Sequence, residues 1–174
     1  MILSSSEIIR HIAANEITVD PFDAAELNPN SVNYHLGIEC IEYVPRKPPR
    51  RFEISEKGTC IQPGRLYLAQ TLEIIGSSVF TPSLIGRSSM GRLGLFVQVD
   101  ADLGQLGEPH CWTLELRCIK PLNIYPRMTI GQVSFWLTSF RNNDTIRKRD
   151  TGFYQQSNVP MASRMEWMID SQRR

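Results

Sequence analysis

The 174-residue sequence is short of the residues that most often announce a chemistry. Cysteine occurs four times (Cys40, Cys60, Cys111, Cys118), widely spread and never as CxxC. That spacing excludes a zinc ribbon or a thioredoxin-type pair, and the four are expected to be free thiols in a reducing compartment. The three histidines, His11, His35 and His110, lack metal-ligand spacing. No GxxxxGK[ST] phosphate loop, no HxE with PCxxC and no GxSxG elbow is present. If the chain is an enzyme, its chemistry rests on carboxylates, arginines, hydroxyls and water. Net charge is only +1, so no overall field recruits nucleic acid. No apolar run approaches the length of a membrane helix, and the N-terminal stretch has acids inside its apolar pattern. The expectation is a cytoplasmic protein without membrane or nucleic-acid partners.

What is present reads as mainly β. Length and a 41% hydrophobic fraction suit one domain, 1–174, with a real core. Ser4 or Ser5 followed by Glu7, Ile8, Ile9 and Ile12 predicts a capped amphipathic helix ending near Asn15. The stretch ITVDPFDAAELNPNSVNYHLG reads mostly as turn, with a short strand at 31–36, and 38–44 reads as another strand. PRKPPRRFEISEKGT reads as a solvated loop or hairpin arm; it lacks the interleaved aromatics of an RNA-binding segment. From Cys60 onward, RLYLAQTLEII, LGLFVQVDA, CWTLELRCI and TIGQVSFWLTSF predict strands, and such punctuation predicts a sandwich or closed barrel. Residues 141–174 turn polar and form a tail that either stays loose or folds onto something else.

Two features stand out. IGRSSMGRLGLF packs Arg87, Ser88, Ser89 and Arg92 together, a grouping that calls for an anion or a carboxylate partner. Glu115 lies in WTLEL, where alternation puts Trp112, Leu114 and Leu116 on one face and Thr113 and Glu115 on the other. A buried carboxylate there would need a cation, with Arg87 and Arg92 as candidates.

These stretches resemble the dCTP deaminases of the trimeric dUTPase-like superfamily. DPFDAAELNPNSVNYHLG resembles the family's DPF…L.P.SVDLRLG, and PGRLYLAQTLEII its PG…LA.TLE. GRSSMGRLGL resembles the family signature, TLEL its glutamate segment, PLNIYPRMTIGQVSF its PL.LYPGM.IGQL.F, and MASR the end of its tail. The resemblance implies a distorted β-barrel or jelly-roll subunit with a short N-terminal helix, assembled as a homotrimer with active sites between subunits. It implies zinc-independent deamination of a cytosine nucleotide, with Mg²⁺ bound through the substrate phosphates. Glu115 would be the general base, Arg92 would orient it, and Ser88 would help place the water. Ala101 would shape the base and water pocket. Arg87 and Ser89 would contact phosphate from the adjacent subunit; whether the 141–174 tail closes over the site is left open by the sequence.

The chain departs from that pattern where the sugar and phosphates would bind. The family's H.TAG.IDPG..G.ITLEL is QVDADLGQLGEPHCWTLEL here. Gln98 replaces a histidine, Asp100 a threonine, Asp102 a glycine, and Gln105 the aspartate that takes the sugar hydroxyl. Glutamine accepts a hydrogen bond more weakly than an ionised acid. In the tail, Phe153 stands for a phosphate-binding lysine and Ser157 for a glutamine, while Tyr154 is kept. Arg147, Lys148 and Arg149 lie just upstream as substitutes. Asn33 replaces an aspartate, and Arg127 a turn glycine. The expectation is deamination of dCTP or a related cytosine nucleotide, and the changed binding positions point to one other than plain dCTP, such as a ribonucleotide, a monophosphate or a modified pyrimidine. The alternatives are pyrophosphate release or N-glycosidic hydrolysis of a pyrimidine nucleotide, with Asp100 as a second acid beside Glu115, or a non-catalytic nucleotide-binding trimer.

Overall fold

The computed structural model describes residues 1–97, 102–139 and 158–163. The chain opens with helix α1, Ser5–Ala13. Ser4 caps it, its Oγ accepting from the Glu7 amide at 3.5 Å. Asn15, at φ 57°, ends the turn that follows. Strands β1 (Ile17–Asp20), β2 (Leu27–Asn28), β3 (Ser31–His35), β4 (Glu39–Tyr43) and β5 (Arg50–Glu53) follow. Then come β6 (Thr59–Ile61), the long β7 (Leu66–Ser77) and β8 (Phe80–Gly86). Helix α2 (Ser88–Leu93) leads into β9 (Leu95–Val97), β10 (Gly107–Cys118), β11 (Leu122–Ile124) and β12 (Thr129–Leu137).

All pairings are antiparallel. One sheet runs β5-β4-β7-β10-β9, with β1 pairing the far end of β7. A second runs β2-β3-β12-β8, and β11 pairs β6 in a two-stranded ribbon. The core between them takes Val32 and Tyr34 from β3, Ala69 and Ile75 from β7, Leu114 and Leu116 from β10, and Val133 and Phe135 from β12. Helix α1 plugs one side through Ile8, fully buried. Among the described residues no helix is long and apolar enough to cross a membrane.

The fold is mainly β with a short N-terminal helix, as the sequence pattern predicts, but several elements differ. ITVD is a strand, not turn: Ile17 and Val19 face the core and pair with β7. Its two-residue alternation was overshadowed by the Asp20-Pro21 that ends it. FTPSLIG is also a strand; Pro82 is tolerated because β8 is the edge of its sheet. The 46–59 segment does contain a hairpin arm, β5, tied to β4 by Arg50 and Glu42. Arg127, the substitute for a turn glycine, adopts a left-handed φ of 62° and holds Glu56 at 2.7 Å. All four cysteines are free thiols, three of them buried.

Candidate active site

The signature stretch is a helix rather than a loop. α2 is six residues long, with Arg87 at its N-cap and Gly94 at its C-cap. Gly94 has φ 88°, and a Cβ there would stand 2.5 Å from Ile119 Cγ1, so both conformation and space demand glycine. Backbone bonds hold the turn at each end: the Arg87 amide donates to Ile130 O at 3.4 Å, and the Ile119 amide to Gly94 O at 3.0 Å. Met90 packs against the core. Ser88, Ser89 and Arg92 are exposed and Arg87 is half-buried. None of these four side chains makes a hydrogen bond or ion pair with a described residue.

Glu115 sits half-buried on the outer face of β10, opposite the core-facing Leu114 and Leu116. Register puts it across from Leu68 on β7, which faces Ile41 on β4, which faces Arg51 on β5. Ile41 and Leu68 are buried although they lie on this outer face. Part of the tail covers the row. The Arg51 guanidinium reaches Pro160 O at 3.5 Å, and the Met161 amide donates to Thr113 Oγ1 at 3.3 Å. Pro160 itself is buried. The 158–163 segment thus lies beside Glu115 on the Thr113 side.

On the other side a groove opens, lined by Tyr43, Pro45, Gly64, Arg65, Leu66, Arg117 and Cys118. Arg117 follows Glu115 by two positions, so it shares the outer face. The same alternation that exposed Glu115 in the sequence would have flagged Arg117, which sequence reading passed over. The tail contact had no sequence signal beyond the MASR likeness.

Within one protomer Arg92 does not reach Glu115. α2 is fastened at Ile119, beyond the Cys118 end of β10, whereas Glu115 lies three residues earlier, about 10 Å along the strand. The pairing expected from sequence is therefore not formed inside the described chain. Gln105 is exposed in the segment entering β10. Gln98, Asp100, Ala101, Tyr154 and Ser157 lie outside the described residues, as do Phe153 and 147–149.

Two other carboxylates are buried, and each is fully engaged. Glu42 accepts from Arg50 Nε and Nη2 at 2.9 and 2.8 Å, from Arg65 Nη1 at 2.6 Å and from Tyr67 Oη at 3.2 Å. Burial pushes its carboxyl up, but the bonds from Arg65, Arg50 and Tyr67 outweigh that and hold it below the usual carboxylate range. Glu73 accepts from the His35 amide at 2.9 Å and bonds the His35 ring at Nδ1. His35 Nε2 faces Glu26 at 3.6 Å, and Asn33, itself reached by Asn28, donates to Glu26. His11 is likewise locked to Glu16 and packs edge-on against Phe80. His11 and His35 are thus framework groups. Among the described residues no cluster of three or more His, Cys, Asp or Glu could hold a metal.

Fold and site together define a β-sheet scaffold with an outward carboxylate and an anchored, solvent-facing Arg-Ser-Ser turn. Comparison with known proteins gives the particular family. A family model described as dCTP deaminase-like matches residues 2–138. The chain is 41% identical over 142 residues to a dUMP-forming dCTP deaminase of Clostridium beijerinckii, covering 78% of this chain and 82% of that protein. It is 39% identical over 165 residues to a dCTP deaminase of Rhodopirellula baltica, covering 91% of this chain and 81% of that one. In structure it resembles the 2′-deoxycytidine 5′-triphosphate deaminase of Agrobacterium tumefaciens, with a TM-score of 0.65 at 18% identity. That match covers 79% of this chain and 48% of the other, and speaks for the fold alone. This chain belongs to the dCTP deaminase-like family.

Proposed function

We propose that the protein deaminates dCTP hydrolytically, with Glu115 as general base. Glu115 takes a proton from the water that attacks the amino-bearing carbon of the cytosine ring, then returns it to the departing ammonia. The observation that carries this reading is the division of labour in the geometry. Glu115 faces outward from one end of the sheet, and the Arg87–Arg92 turn stands rigid, exposed and without described partners. A turn so arranged awaits something from outside the protomer. Gly91 adds to this: a helical glycine is less stable than alanine by about 1 kcal/mol, yet no described residue comes within 4 Å of where a Cβ would stand.

A homotrimer of barrel or jelly-roll subunits supplies that outside partner. In it, Arg92 and Ser88 of one subunit orient Glu115 and water of the next, and Arg87 and Ser89 meet phosphate. Residues 1–174 act as one domain, with the 141–174 tail closing over the site and Ala101, Tyr154, Gln98, Asp100, Gln105 and Ser157 lining it. Magnesium suits this reading as an ion chelated by the substrate phosphates, where it would neutralise their charge. Such sites use phosphate oxygens and water more than a protein cage.

The relative from Clostridium beijerinckii is named as dUMP-forming, which favours a second reading in which deamination is followed by pyrophosphate release. Incubation of the purified protein with dCTP and Mg²⁺, read by mass-resolved chromatography, tests both. dUTP or dUMP with ammonia, lost in Glu115→Gln, supports the proposal. dUMP with pyrophosphate selects the second reading. Uncleaved, unchanged dCTP overturns both.

A further inference from the structure

The groove beside Glu115 has a chemistry of its own. Its two cations are Arg117 and Arg65, and its floor is Leu66 with the Tyr43 ring beside it. Arg117 is exposed, its cross-strand neighbour on β9 is Phe96, and Leu66 lines the groove with it, neither an acid. It forms no ion pair with a described residue. Arg65 is different: Glu42 and Tyr67 fix its guanidinium in place. Glu42, which holds Arg65, is shared with Arg50, so that cluster keeps an excess of positive charge. The turn that leaves the groove at Pro45 adds Arg46 and Lys47, both exposed. Gly64 contributes backbone without a side chain, with open space above it.

One fixed arginine, one free arginine and a glycine-backed wall form a receptacle for a phosphoryl group. Its position suits a nucleotide. Arg117 stands two residues from Glu115, roughly 7 Å along the strand, so a nucleotide whose pyrimidine ring meets Glu115 can span to that arginine. The sequence also leaves a vacancy for such a cation, because Phe153 stands where a phosphate-binding lysine is expected.

We propose that Arg117, backed by Arg65, forms a phosphate subsite for the nucleotide, placed across Glu115 from the 158–163 segment. This rests on the deaminase reading above, and the test separates the two. Full-length wild type, Arg117→Gln and Arg117→Lys are compared on dCTP, dCMP and deoxycytidine, with thermal melts to confirm folding. Arg117→Gln is expected to raise KM for dCTP at least tenfold, with kcat changed less than about threefold. kcat/KM for deoxycytidine should stay level, and Arg117→Lys should recover most of the dCTP affinity. An equal loss on dCTP and deoxycytidine, or no loss on either, overturns the subsite. If wild type turns over none of them, the deaminase reading fails separately. Calorimetry with inorganic tripolyphosphate then judges the groove: weaker binding by Arg117→Gln supports it, and equal binding overturns it. Weaker tripolyphosphate binding alongside an unchanged dCTP KM would mean a free-anion site and overturn the nucleotide assignment.

Discussion

The polar groups around Glu42 and those of the 87–92 turn are both charged and oppositely treated. Glu42 is 5% exposed, and every one of its bonds is made within the chain. Ser88, Ser89 and Arg92 face solvent and Arg87 is half-buried, none with a described partner, although the backbone beneath them is fastened at both ends. A buried charge must be satisfied internally or folding suffers. An exposed group on a rigid anchor is satisfied by water until something better arrives. The first arrangement is a structural element and the second a functional one, and substitutions should tell them apart.

The largest expected effect is on turnover. Arg92→Gln and Glu115→Gln should each lower kcat by 100-fold or more, with melting temperatures close to wild type. A melting loss as large as that of a core variant would remove the contrast. Next comes Glu42→Gln, which leaves Arg50 and Arg65 facing an amide. Losing these charge-assisted bonds costs about 2–3 kcal/mol, less than for a fully buried pair because both arginines reach solvent, and shows as a lower urea midpoint, while KM and kcat of the surviving folded protein should stay near wild type.

The same carboxyl carries a pH signature. Its folded pKa lies below the ordinary value of 4.5. Its contribution is therefore complete above about pH 4.5 and lost as pH falls through the lower folded value. Urea midpoints measured from pH 7 down to 3 should fall more steeply for wild type than for Glu42→Gln.

A smaller effect is expected at Gly131. A Cβ there would stand 2.1 Å from the Tyr34 hydroxyl, which donates to Ile85 O at 3.2 Å. Gly131→Ala should destabilise by about 1–3 kcal/mol through overpacking. The smallest effect is chemical: burial pushes the Cys40 thiol up to about 12 and raises those of Cys111 and Cys118. A thiol reagent should find one fast site, the exposed Cys60, and three slow ones.

Much of this was legible in the sequence because burial leaves periodic traces. Alternation around Glu115 named its face, and Ser4 with Glu7 named the start of α1. α2 was hidden because its glycine and serines favour turns; tertiary anchoring at Ile130 and Ile119 makes it a helix. β8 was hidden by Pro82, which is tolerated at a sheet edge. The absence of an Arg92–Glu115 pair in the protomer was not readable either, since a motif records which groups meet and not which copy of the chain supplies them.

The 158–163 segment has a practical consequence for anyone handling the protein. Ile41 and Leu68 are oily residues on the outside of the sheet, hidden beneath a strip of tail anchored by Arg51 and Thr113. A shortened version ending at Leu137 would keep every described strand yet lay that strip bare. It should express less soluble material and form clumps on concentration, which makes the tail a shelter for the sheet whatever else it does.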